Sequence, residues 1–82
     1  MINKTQKALL TAAGYEFLEE LNFIKEIENN APNVCVFYDG SKFIIHICHC
    51  NLITPEDQEN FDKEFSIKYS LVKALNSAGG VE

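Results

Sequence analysis

Val34-Cys35-Val36-Phe37-Tyr38-Asp39-Gly40-Ser41-Lys42-Phe43-Ile44-Ile45-His46-Ile47-Cys48 is the stretch that decides how this chain folds. Two runs of β-branched and aromatic residues flank Asp39-Gly40, where glycine takes positive φ readily and aspartate tolerates it. The stretch reads as a β-hairpin with strands over 34–38 and 43–49. Alternation then assigns its faces. With a two- or four-residue loop, Val34, Val36, Tyr38, Phe43, Ile45, Ile47 and His49 share one face, the expected core face. Cys35, Phe37, Ile44, His46, Cys48 and Cys50 share the other. A three-residue loop would move Cys35 across, so the turn decides whether Cys35 neighbours His46.

A lone hairpin is marginal in water and needs a further strand or a helix to pack on. Upstream, Leu10, Ala13, Phe17, Leu18 and Leu21 fall on one side of a helical wheel, which predicts a helix from Thr5 to about Asn22. Gly14 interrupts it at a cost of about 1 kcal/mol against alanine. Phe23 to Glu28 reads either as more helix or as a strand. A short edge strand over 23–28 is favoured, because it would complete a three-stranded sheet and its charges would guard the edge. Asn29 to Asn33 is a loop, dense in turn formers.

Downstream, Thr54-Pro55-Glu56-Asp57 has an N-cap, a proline for the first helical position and two acids facing the helix dipole. Gly79-Gly80 is the matching stop. A long C-terminal helix over 55–78 follows. Its apolar arc of Phe61, Phe65, Ile67, Tyr69, Leu71, Val72, Leu75 and Ala78 is wider than one neighbour needs. Lys68 falls inside that arc, so either its stem snorkels or the helix kinks near Phe65. The expected architecture is a single α+β domain spanning 1–82, because two domains would each be too small to sustain a core.

Composition narrows the function classes. The chain has twelve acidic residues against seven basic ones, all lysine, and a formal charge of −5. Arginine, the usual bidentate reader of phosphate and guanine edges, is absent. Direct nucleic-acid binding is therefore not expected; a basic protein surface is the better match. The three cysteines have no framework spacing, and Cys48 and Cys50 lie too far apart along a strand to bridge. Free thiols in a reducing cytoplasm are the simpler expectation. The apolar run Ala8 to Ala13 is too short for a signal segment, and nothing approaches a membrane span.

Two constellations carry chemistry. His46-Ile47-Cys48-His49-Cys50 concentrates metal-ligand types, but strand residues four apart are roughly 13 Å apart, far beyond metal–ligand reach. A metal or thiol module would need Cys35 across the ladder with His46 and Cys48, or Cys50, and a further ligand from elsewhere. The simpler reading is small thiols and a sheet histidine, so no metal or other cofactor is expected. No orienting group, oxyanion hole or phosphate-cradling glycine loop accompanies these residues, and an enzyme is not expected. The second constellation is Glu56, Asp57, Glu59, Asp62 and Glu64, five carboxylates in nine residues with Lys63 the one base among them. Such a run is either a solvated helix face or a surface that docks on a basic partner.

The favoured function is thus a small acidic, non-enzymatic protein-binding module, an inhibitor or modulator that covers a basic surface of a partner protein, a nucleic-acid-binding surface being one such. In size and charge, though in no motif, it resembles the small acidic inhibitors that phages encode, anti-CRISPR proteins among them. The alternatives are the Cys/His module and a structural homodimer joined through the hairpin edge or the broad face of the C-terminal helix.

Overall fold

The computed structural model describes residues 2–29, 32–48 and 53–79. Helix α1 (Lys4–Ala12) leads into strand β1 (Tyr15–Leu18), a 3-10 turn (Glu19–Leu21) and strand β2 (Phe23–Glu26). Strands β3 (Val34–Tyr38) and β4 (Phe43–Ile47) follow, then helix α2 (Pro55–Ser77). The chain is an α+β fold with two antiparallel two-stranded sheets, β1–β2 and β3–β4.

The hairpin forms in the register that a four-residue loop dictates: Tyr38 pairs with Phe43, Cys35 with His46 and Val34 with Ile47. Gly40 has φ +97°. One carboxylate oxygen of Asp39 accepts hydrogen bonds from the Ser41 and Lys42 amides at 2.9 and 2.8 Å. Those amides, together with the Ser41 hydroxyl, hold the Asp39 carboxyl below its usual range. Val34, Val36, Tyr38 and Phe43 are buried, as alternation predicts, but Ile47 at the far end is 52% exposed. His49 and Cys50 lie outside the described residues, so the strand is described only to Ile47.

The N-terminal third departs from expectation. The helix does not run to Asn22; it ends at Ala12, because Gly14 takes φ +89° and turns the chain into β1. Tyr15 is buried and Phe17 half-buried on one side of β1, while Leu21, assigned to the helical stripe, is 73% exposed. Leu10 and Phe17 share one helical phase across Gly14 because both serve the same core from two different backbones. Asn22, at φ 50°, closes the turn into β2. The 23–28 segment is a strand over Phe23–Glu26, but it pairs with β1 rather than extending the hairpin.

The two sheets are joined by side chains. β2 lies alongside β3 with no main-chain ladder between them. At one end of this seam Asn22 Nδ2 donates to the Tyr38 carbonyl at 3.3 Å; at the other sits Lys68 of α2. Ile2, Leu10, Tyr15, Ile24, Val36, Tyr38, Phe43, Val72 and Leu75 form the core under both sheets and both helices. α1 is tied to the end of α2 by its own cap: Asn3 and Gln6 form a capping box, Gln6 Nε2 donates to the Leu75 carbonyl and Asn3 Nδ2 to that of Ala78, each at 2.9 Å. Orphan donors of one helix end and orphan carbonyls of another are thus satisfied together.

Candidate functional site

The five carboxylates expected to act as one acidic patch are divided by the fold. α2 begins at Pro55 with Thr54 as N-cap, and Asp57 completes a capping box with it. Glu64 turns inward, where one carboxylate oxygen accepts from the Val34 amide at 3.1 Å and from Lys68 Nζ at 2.8 Å. Two of the five are therefore structural. Glu56, Glu59 and Asp62 remain on the exposed side of the helix. Glu59 pairs with Lys63 at 3.4 Å and Asp62 accepts from Gln58 at 2.9 Å. Both are surface contacts of the kind that contribute little to stability.

Beside these acids stands Ile67, 70% exposed, and the depression around it is lined by Glu59, Asp62, Lys63 and Ser66. A second exposed apolar zone lies along the opposite flank of α2. Phe61, Phe65 and Tyr69 stack at four-residue spacing with ring centroids 6.2 and 6.0 Å apart, and Lys73 Nζ lies 5.7 Å from the Tyr69 ring. Phe65 and Tyr69 form one wall of a groove whose other wall is β4, with Ile45 and Ile47. The broad apolar arc of α2 therefore exceeds what its own core covers: Val72 and Leu75 are buried, Tyr69 is half exposed.

Lys68 explains the charge inside that arc. Its stem is buried rather than snorkelling to water, and its ammonium donates to Glu26 (2.7 Å), Glu64 (2.8 Å) and the Val34 carbonyl (2.8 Å). Burial works against the charged form, but the hydrogen bonds to Glu26 and Glu64 outweigh it and hold Lys68 above the ordinary lysine value. Burial likewise opposes ionisation of Glu64, and Lys68 with the Val34 amide overrides it, holding that carboxyl below its usual range. This network is the clasp between β2, β3 and α2, a structural site.

The cysteine-histidine face is assembled differently from its expected form. Cys35 does stand opposite His46, as the four-residue loop requires. Its sulfur, however, is bonded to that of Cys48, with Cα atoms 6.1 Å apart, inside the range a disulfide spans. Cys35 and Cys48 are thus neither buried nor free thiols: Cys35 is half-buried and Cys48 exposed. The diagonal pairing of two strands supplied a partner that spacing along one strand does not. The bond takes both sulfurs out of metal ligation. His46 packs its ring on Phe37 at 5.3 Å between centroids, and Cys50 lies outside the described residues. No group of three or more His, Cys, Asp or Glu positioned to hold a metal occurs among the described residues. None of their helices is long and apolar enough to cross a membrane.

Phe61, Phe65 and Tyr69 were named in the sequence only as members of a wide apolar arc, not as a stacked ridge, and the hydrogen bonds of the Asn76 amide with the Phe43 peptide groups of β4 were not foreseen. The four-residue spacing of Phe61, Phe65 and Tyr69 was the available signal for the first. Nothing local signals the second. Comparison with protein-family models, with curated proteins and with solved structures finds no match to this chain.

Proposed function

We propose that this protein is a non-enzymatic binding module, an inhibitor or modulator that acts by covering a basic surface of a partner protein, such as a nucleic-acid-binding surface. The observation that supports this reading is Ile67, 70% exposed on α2 and bordered by Glu59 and Asp62, with Glu56 on the same outward side. An apolar anchor inside a charged rim is how binding surfaces combine affinity with orientation. The net charge of −5 would steer a basic partner toward it. Asp57 and Glu64 are excluded from the contact surface by their structural roles, which narrows the acidic surface to Glu56, Glu59 and Asp62.

The test is comparative capture from host extract, followed by titration of the purified partner. Reversal of Glu56 and Glu59 to lysine, and separately Ile67→Ala, should each weaken the complex by at least about tenfold, the cost of about 1.4 kcal/mol. Reversal of Asp62 should add to the first. The acidic variants should lose on-rate and salt dependence, whereas Ile67→Ala should raise the off-rate. A partner bound equally by all variants would eliminate this surface.

A further inference from the structure

The outer edge of β4 is half closed by a side chain that imitates a strand. Lys42 and Asp39, and Cys48 and Asn33, are joined by main-chain hydrogen bonds of the β3–β4 ladder. Antiparallel alternation then turns the peptide groups of Phe43, Ile45 and Ile47 away from β3. Asn76 of α2 serves the first of these with its amide, accepting from the Phe43 N–H at 2.8 Å and donating to the Phe43 carbonyl at 3.0 Å. No described group serves Ile45 or Ile47. Beyond them runs the groove walled by Phe65 and Tyr69, which are 36% and 50% exposed, with Ile47 at 52%.

We propose that a second copy of this chain fills that groove, its β4 pairing antiparallel with this β4 about a two-fold axis at His46. The spacing of the open groups fits this arrangement. Two outward-facing residues, two apart, pair reciprocally when the axis passes between them: Ile45 of each copy takes Ile47 of the other. The result is a four-stranded antiparallel sheet with the two α2 helices side by side on one face. One contact therefore closes the open strand edge and covers the aromatic ridge.

Charge along α2 favours the same two-fold. α2 runs antiparallel to β4, since Asn76 holds Phe43 while Glu64 and Lys68 hold Val34, the partner of Ile47. Interpolation between these anchors sets Lys68 level with His46. Asp62 and Lys73 lie on the same flank of the helix as Phe65 and Tyr69, within about 80° of arc. In an antiparallel pair crossing near residue 68, Asp62 of each helix faces Lys73 of the other. A parallel arrangement would set like charges together. The inference does not rest on the partner surface proposed above: Glu56, Glu59 and Ile67 point away from this groove, and Asp62, on the border between the two surfaces, is the one residue they share, so the mass of the chain alone reads its part here.

The test is the mass in solution by sedimentation equilibrium, on protein carrying Cys50→Ser so that no intermolecular disulfide contributes while the Cys35–Cys48 bond stays intact. Wild type should give a dimer, and hydrogen exchange should show the Ile45 and Ile47 amides protected. Ile47→Lys and Tyr69→Lys should shift the mass to monomer, while Ile67→Lys leaves the dimer intact. Asp62→Lys and Lys73→Asp should each weaken association by about fivefold, and the double exchange should restore it. These last are surface changes, so they report even if a groove variant fails to fold. A monomer at every concentration up to about 1 mM, fast exchange at Ile45 and Ile47, or a dimer indifferent to Ile47→Lys and Tyr69→Lys overturns the proposal. Failure of the double exchange to restore association overturns the two-fold register.

Discussion

Replacing Lys68 with methionine tests the clasp that joins the two sheets. Methionine keeps most of the buried stem and removes only the ammonium. Three acceptors then lose their donor: the Val34 carbonyl and the carboxylates of Glu26 and Glu64. Breaking a buried ion pair from one side costs about 3–5 kcal/mol, and an orphaned buried carbonyl about 1–3 kcal/mol. The Glu26 and Glu64 side chains keep 22% and 19% of their exposure, so water partly replaces the lost partner. The lower end applies, a loss of about 3 kcal/mol. For 82 residues the whole stability is about 4–12 kcal/mol, so the loss is a large fraction of it.

The assay is urea denaturation followed by circular dichroism, since the chain has no tryptophan. Its pH dependence carries a sign. Glu64 has a lowered pKa, so its contribution is present above the unfolded value near 4.3 and fades as pH falls through the folded value. Lys68 has a raised pKa, so its contribution is complete below the unfolded value near 10.4 and fades as pH rises through the folded value. The difference between wild type and Lys68→Met should therefore be widest near neutrality and shrink toward about pH 3. Adding Glu26→Gln and Glu64→Gln should recover part of the loss. A neutral-pH loss below about 1 kcal/mol, or one that is constant down to acid, would refute the reasoning.

Asn76→Ala should cost about 1–2 kcal/mol by releasing both peptide groups of Phe43, visible as a lower urea midpoint and faster exchange of the Phe43 amide. Gly14→Ala should cost at least about 1 kcal/mol in the same assay, because φ +89° is strained for any residue with a Cβ, and no gain in stability is expected despite the higher helix propensity of alanine. Reduction of the Cys35–Cys48 bond, 13 residues apart in sequence, should lower stability by up to about 3 kcal/mol, and Cys35→Ser should make that reductant effect disappear.

The residues that could be read correctly are those whose signals are local. Asp39-Gly40 between two β-branched runs marked the hairpin and its turn but left the loop at two, three or four residues; the structure chose four, and with it the pairing of Cys35 with His46. Thr54-Pro55 and the acids after it placed the start of α2, because a helix end must satisfy its own amides from nearby side chains. Asn3 and Gln6 make the same kind of cap for α1, a local arrangement that the sequence reading missed when it started the helix at Thr5. One helix was read across Gly14, and the break there was not legible: Leu10 and Phe17 share a core under either backbone, so their periodicity carries no information about the turn between them.

Of the acidic run, sequence gave the carboxylates but not their division. Asp57 caps its own helix, a contact three residues long, whereas Glu64 is withdrawn by Val34, thirty positions earlier in the chain. The disulfide is similar: Cys35 and Cys48 meet only because the hairpin folds one strand back on the other. What the sequence by itself determined is the hairpin, the long C-terminal helix and the acidic, arginine-free composition of the chain. Only the tertiary structure decided that β2 joins β1, that Lys68 pins two sheets together, and that β4 keeps an open edge beside an aromatic ridge. Those features depend on which elements pack side by side, and the energy that selects one packing is shared among residues far apart in the chain.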